Sequence, residues 1–339
     1  MSQIKGWAAS APQQKLELFS YDPGPLAPED VEIEVEYCGV CHSDLSVIDN
    51  AWGLSNYPII PGHEVVGRVL AIGEHAKGLK PGQYVGVGWN AGSCMHCHAC
   101  MTGEHNLCPA VEPTIISRQG GFAERIRSHW AWAVPLPAAV DIASAGPLLC
   151  AGATVFTPFL TFDIKPTDRV GIVGIGGLGH LGLKFANAWG CEVTAFTSNP
   201  LKVDEARRFG AHRIVNSRDT SDILKAANSL DFLLITVNTP LDWSALVKTL
   251  RTKGRMAIVG AVLEPMTISA IDLIFGQKQV TGSLNGGPAA TAAMLDFAAR
   301  HQIKPQVEHF PMSKVNDALA HMAAGKARYR VVLDADFPD

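Results

Sequence analysis

Basic runs are missing from this chain. Lysine and arginine number 28 against 32 aspartates and glutamates in 339 residues, a net charge of −4. Without a positive stripe there is no electrostatic footprint for a phosphate backbone, so nucleic acid is excluded as the expected partner. The opening Met1-Ser2-Gln3-Ile4-Lys5-Gly6-Trp7 lacks the apolar core of a secretion signal, and a mature cytoplasmic protein is expected. Internal repeats and low-complexity tracts are also absent. One stretch, residues 142–162, has no charged side chain and is long enough to span a bilayer. Pro147 and Pro158 interrupt it and Gly, Ser and Thr dilute it, so a buried domain junction is expected and no membrane.

What is present is a large apolar complement. With 47% hydrophobic and 18% charged residues, a chain of this length buries a sizeable core, and two domains are expected. Residues 1–148 read as short strands and Gly- and Pro-rich loops, with the alternation of residues 31–36 marking a half-exposed strand. From 149 to 288 apolar strands alternate with helical stretches: 170–173, 193–197, 213–215, 232–236, 256–259 and 280–282. Six such strands predict an α/β fold with a doubly wound sheet. Residues 289–339 hold one further helical segment and end in the apolar strand Tyr329-Arg330-Val331-Val332-Leu333.

The sheet region carries Gly174-Ile175-Gly176-Gly177-Leu178-Gly179 between a strand and a helix, a G-x-G-x-x-G dinucleotide signature in its proper context. Gly174 and Gly176 permit a tight turn and close pyrophosphate approach, Gly179 lets helix and sheet pack, and Gly177 and Leu178 lie between them. An NAD-specific site would place Asp or Glu about 20 residues later to bind the ribose 2′-hydroxyl. Here Thr197-Ser198-Asn199 and then Lys202 offer hydroxyl, amide and ammonium donors and no carboxylate, which favours NADPH/NADP⁺. Ser198 or Asn199 could equally cap the next helix.

Eight cysteines without a secretion signal point to metal ligands or free thiols before disulfides. Cys94, Cys97, Cys100 and Cys108 have the spacing C-x2-C-x2-C-x7-C, that of a closed structural zinc site. His96 and His98 are alternative ligands, and an iron–sulfur cluster or a redox pair would use such cysteines too. Cys38 and Cys191 read as small buried hydrophobes. Cys41, His63, Glu64 and Cys150 make a second set: two thiolates and an imidazole can hold Zn²⁺ with a fourth position open to substrate.

These last residues sit in Gly39-Val40-Cys41-His42-Ser43-Asp44, Pro61-Gly62-His63-Glu64 and Gly146-Pro147-Leu148-Leu149-Cys150-Ala151-Gly152. Over its whole length the chain resembles the zinc-containing medium-chain alcohol dehydrogenases, in their cinnamyl-alcohol-dehydrogenase-like branch, and most of all the bacterial NADPH-dependent aldehyde reductases. The resemblance implies a Rossmann domain and a discontinuous GroES-like catalytic domain rejoined by residues 289–339. It implies two zinc ions per chain, the second held by the four cysteines, and a homodimer acting on a small-molecule aldehyde or alcohol. An oxidative zinc polyol or aromatic alcohol dehydrogenase, or a silent NADPH-binding protein, are the alternatives.

By the same resemblance Asp44 orients the zinc histidine, Ser43 relays a proton, and Glu64 is an acidic neighbour able to coordinate transiently or only to line the site. The relay position that relatives fill with histidine is Ser46 here, which leaves its terminal group open. His42 and Arg330 match pyrophosphate contacts, with a backbone contact and a surface or interdomain ion pair as their alternatives. Thr154 matches a nicotinamide contact. Trp52, Trp89 and Leu284 match substrate-pocket positions, although core packing suits the tryptophans equally.

Overall fold

The structure, a computed structural model, describes residues 3–337. The chain divides into two units, one of residues 1–150 with 286–339 and one of residues 151–285. The sequence put these divisions after 148 and 288.

The second unit is a six-stranded sheet with every neighbouring pair parallel. Its spatial order is Arg213–Asn216, Glu192–Thr197, Arg169–Val173, Leu230–Ile235, Leu250–Ile258 and Gln279–Gly282. The order reverses beside Arg169–Val173, the switch point at which doubly wound sheets bind dinucleotides. The three central strands Glu192–Thr197, Arg169–Val173 and Leu230–Ile235 are near-continuous buried runs, as expected where helices cover a parallel sheet on both faces.

The first unit is built on a seven-stranded sheet around the long strand Asp30–Val40, which pairs with Val65–Ile72, Arg125–His129 and the late strand Arg330–Asp334. That last pairing is antiparallel, with Val331 opposite Val40 and Val332 opposite Gly39. Two strands from distant parts of the chain are thereby placed side by side, and Arg330 falls next to Cys41. The carboxy-terminal segment is richer than its sequence pattern indicated: helix Pro288–Arg300 is followed by strand Val307–Pro311 and a second helix, Val315–Ala323. The second helix is only nine residues long, too short for its periodicity to stand out.

The alternation of residues 31–36 also needs correction. Glu34 is exposed but Glu32 is 9% exposed, not on a solvent face. Arg125 and Arg127 on the neighbouring strand donate to its two oxygens at 2.9 Å each, and Arg127 also donates to the Pro23 and Gly24 carbonyls at 2.8 and 3.0 Å. Paired charge is what allows the carboxylate to be buried. Among the described residues no helix is long and apolar enough to cross a membrane. The 142–162 stretch breaks into Ile142–Ala145, the turn Gly146–Leu149 and Ala151–Thr161.

Removing Glu32 takes the shared carboxylate from two largely buried guanidiniums and leaves Arg125 only the longer pair with Glu124 at 3.5 Å. Glu32→Ala should cost about 3 kcal/mol in urea denaturation, while Glu34→Ala should cost less than about 0.5 kcal/mol. Equal losses would show that the buried pairing contributes nothing.

Candidate active site

Cys41 follows the end of the long strand and caps helix His42–Ile48. Asp44, in the third helical position, turns back to accept from the Cys41 amide at 2.8 Å, the reciprocal arrangement of a capping box. Its other oxygen accepts from the Gly62 amide at 2.9 Å and from His63 Nδ1 at 2.8 Å. One fully buried carboxylate therefore locks two segments together. Because Nδ1 donates to it, His63 Nε2 keeps its lone pair for a metal, 3.3 Å from Cys150 Sγ.

The donor atoms of Cys41, His63, Glu64 and Cys150 all lie within 4.8 Å of one another. Their electrostatics suit a cation. The Cys150 thiol, donating to Cys41, holds the Cys41 pKa well below the usual thiol range, and Cys150 is pushed up in return. Burial favours a neutral His63 ring, but the charge and hydrogen bond of Asp44 outweigh it and raise its pKa. Glu64 is also raised, by burial, although Arg330 opposes the shift.

Arg330 is 5% exposed and pairs with Glu64 Oε1 inside the first unit. The pair is therefore neither at the surface nor between units, and sequence gave no sign that these residues, 266 positions apart, would meet. Glu64 Oε2 is buried with no hydrogen-bond partner. A buried, orphaned anionic oxygen beside two thiols and an imidazole fits a divalent, thiophilic ion of the zinc type, held by Cys41, His63 and Cys150.

Around this set, Ser43 is half-buried with its hydroxyl 3.7 Å from Cys41 Sγ. Ser46 donates to the His42 carbonyl at 3.1 Å, a helix back-bond, and the His42 side chain is exposed. Trp89 meets His63 edge-on with centroids 5.0 Å apart, and Trp52 meets Trp89 at 5.8 Å. Both tryptophans also pack on the core of the unit, so wall and packing roles coincide.

The second cysteine set forms a separate cluster, again with every sulfur within 4.8 Å of the others. Cys108 lies 3.5 Å from Cys94 and 3.7 Å from Cys97. Backbone amides of His96 and Cys97 hold the Cys94 pKa at about 6, whereas burial pushes Cys100 up to about 11. His96 and His98 are exposed and lie outside the cluster. Four sulfurs fit a closed tetrahedral ion with no place for water. Cys38 is buried in the hydrophobic core of the first unit, Cys191 is buried with its thiol donating to the Lys165 carbonyl at 3.4 Å, and every cysteine is a free thiol.

In the second unit Gly174 has φ +90°, and a Cβ on Gly179 would lie 1.8 Å from the Gly174 carbonyl, so neither position admits a side chain. Gly176 has open space beside it, Gly177 is half-buried, and Leu178 is the N-cap residue of helix Gly179–Trp189. Past the next strand, the Thr197 hydroxyl accepts from the Asn199 amide at 3.3 Å, and the Asn199 side chain caps the following turn through Leu201 at 2.9 Å. Ser198 is exposed. Lys202 reaches the glycine loop, its ammonium donating to the Ile175 carbonyl at 2.9 Å, and burial lowers its pKa. Thr154 is half-buried in helix Ala151–Thr161, and Leu284 is 49% exposed just past the last strand of the sheet.

Residues 27–138 match the family profile described as an alcohol dehydrogenase GroES-like domain, and residues 177–300 match that of a zinc-binding dehydrogenase. Aldehyde reductase AdhA of Synechocystis sp. is 51% identical over 330 residues, covering 97% of this chain and 98% of that protein. Among solved structures, a cinnamyl alcohol dehydrogenase from Sorghum bicolor superposes with a TM-score of 0.93 at 36% identity, covering both chains fully. The cinnamyl alcohol dehydrogenase from Helicobacter pylori, solved with NADP(H), gives a TM-score of 0.90 at 30% identity over 98% of each chain.

Asp44 makes one direct prediction. Asp44→Asn should weaken zinc retention by roughly 10- to 100-fold in competition with a chelator, because the buried histidine loses its anionic partner. Unchanged retention would remove Asp44 from the metal's support.

Proposed function

The chain belongs to the zinc-containing medium-chain alcohol dehydrogenases, in the branch of cinnamyl alcohol dehydrogenases and bacterial aldehyde reductases, and from that premise we propose that it reduces aldehydes to primary alcohols with NADPH. The observation that carries this reading is the convergence of two thiols and one imidazole, with Ser43 beside them, on a site that three protein ligands leave open. A second zinc is proposed at the four cysteines, where its role is structural.

Zinc and NADPH, when bound, supply carbonyl polarisation and the hydride. Cys41, His63 and Cys150 hold the metal, and Asp44 keeps the His63 proton on Nδ1. Ser43 passes a proton to the product oxygen and takes one up in turn from cofactor ribose hydroxyls and water, while Ser46 is occupied by the helix backbone. Trp52 and Trp89 give the site an apolar aromatic wall, suited to an aldehyde with a hydrophobic or aromatic tail. Thr154, His42 and Leu284 are proposed to line the cofactor and substrate positions, and Arg330 to serve the pyrophosphate as well as Glu64.

The preference for NADPH rests on Lys202 over the glycine loop and on Thr197-Ser198-Asn199 in place of a carboxylate. The cytoplasm suits a chain whose eight cysteines are all free thiols, and fractionation that found it in an oxidising compartment would contradict this. A homodimer is proposed through the open edge of strand Gln279–Gly282, near the exposed Leu263, Ile271, Ile274 and Phe275. Light scattering that read a monomer mass would reject it.

Steady-state rates for aliphatic and aromatic aldehydes with NADPH and NADH test the reading as a whole. Turnover should favour NADPH, and equal use of NADH would refute the cofactor argument. Lys202→Ala should raise the NADPH KM by about 10- to 100-fold and leave NADH kinetics nearly unchanged, with Asn199→Asp reducing the preference further. Ser43→Ala should lower kcat by roughly 10²- to 10⁴-fold with zinc retained, and Ser46→Ala far less. Similar effects of the two serine variants would break the proposed relay.

A further inference from the structure

Trp52 lies outside any helix or strand, in the segment 49–57 that follows helix His42–Ile48. Its flanking residues Ala51, Gly53 and Leu54 are exposed, so packing on either side of the ring does little to fix the segment. Hydrogen bonds do, and they converge on the end of the helix, where the last carbonyls have no intrahelical donors. The Ser55 hydroxyl donates to the Val47 carbonyl at 2.6 Å, and the Tyr57 hydroxyl donates to the Ile48 carbonyl at 2.6 Å. Asn50, in the left-handed region with φ +54°, reverses the chain: its amide donates to Val47 at 3.1 Å and the next amide, of Ala51, donates to Ser46 at 2.8 Å. The Asn50 side-chain oxygen then accepts from the Ser55 amide at 3.1 Å. Trp52 is thereby tied on both sides to one helix, the same helix that begins at Cys41 and carries Ser43.

We propose that Ser55 and Tyr57 are positioning residues that set the discrimination between aromatic and short aliphatic aldehydes, by clamping the Trp52 segment to the helix end so that the Trp52 ring stays against Trp89. The proposal rests on the reading of Trp52 and Trp89 as the substrate wall. The two rings meet at 5.8 Å with 74° between their planes, and Trp89 in turn meets His63 at 5.0 Å, so the wall runs from the Trp52 segment to a metal ligand. An aromatic tail gains from such a wall only while both rings are held in place, because ordering a loose ring on binding consumes part of the contact energy. A short aldehyde bound at the metal does not extend along the wall and is indifferent to it. Neither hydroxyl touches the reacting atoms; each acts through the backbone that carries Trp52.

Ser55→Ala/Tyr57→Phe removes both hydroxyls and keeps the tyrosine ring. In the holoenzyme it should raise the KM for benzaldehyde by roughly 5- to 20-fold with kcat nearly unchanged, and leave both constants for propanal nearly unchanged. Ser55→Thr retains a hydroxyl and should behave as wild type. Hydrogen exchange of the amides of residues 49–56 should quicken in the double variant by a similar factor, a readout that needs no turnover. Trp52→Ala should lose the same advantage for benzaldehyde, and adding the two hydroxyl substitutions to it should cause no further loss. Equal rises in KM for both aldehydes, additive effects with Trp52→Ala, or unchanged exchange in the segment would overturn the proposal. The two ways of failing are distinct: an effect of Trp52→Ala without one from the hydroxyl variant refutes the clamp alone, whereas Trp52→Ala without effect removes Trp52 from the wall and the proposal with it. If the double variant folds poorly, Tyr57→Phe decides by the same comparison, with a KM shift of roughly 2- to 5-fold expected for benzaldehyde alone.

Discussion

The Asp44 carboxylate is the constraint on which the rest of the site depends. It accepts from the amides of Cys41 and Gly62 and from the His63 ring, so one buried anion sets the helix start, the loop and the imidazole tautomer together. Buried charge without partners would be costly, and three donors, two of them backbone amides, are what make it tolerable. The ligand set is thus organised by the fold before a metal enters, and the entering ion meets a thiol pair in which Cys41 is already biased toward thiolate.

Arg330 supplies the opposite charge. The Cys41 thiolate, Asp44 and Glu64 concentrate negative charge in a buried volume, and the late strand brings one guanidinium into it by pairing beside Gly39 and Val40. This explains why the chain returns to its first unit after completing the second. The return places Arg330 in the site, because residues 331–334 pair with the strand that ends at Val40.

Much of this was legible in the sequence. The central strands of the parallel sheet stood out because strands buried on both faces are continuous apolar runs, and the G-x-G-x-x-G loop had its strand and helix on either side. Both cysteine sets were readable because metal ligands need fixed residue types in narrow contexts. The remainder depends on distant chain segments. Burial of Glu32 follows from Arg125 and Arg127 on a neighbouring strand, and the pairing of Glu64 with Arg330 follows from strand register. Helix Val315–Ala323 was missed for the opposite reason, being local but short.

Diffraction from crystals of the full chain, recorded on either side of the zinc absorption edge, tests the central claim most directly. The account predicts two anomalous peaks per chain: one bonded to Cys41, His63 and Cys150 with a fourth ligand not supplied by the protein, and one enclosed by Cys94, Cys97, Cys100 and Cys108. A peak at the four cysteines alone, or a first site closed by four protein ligands, would contradict it.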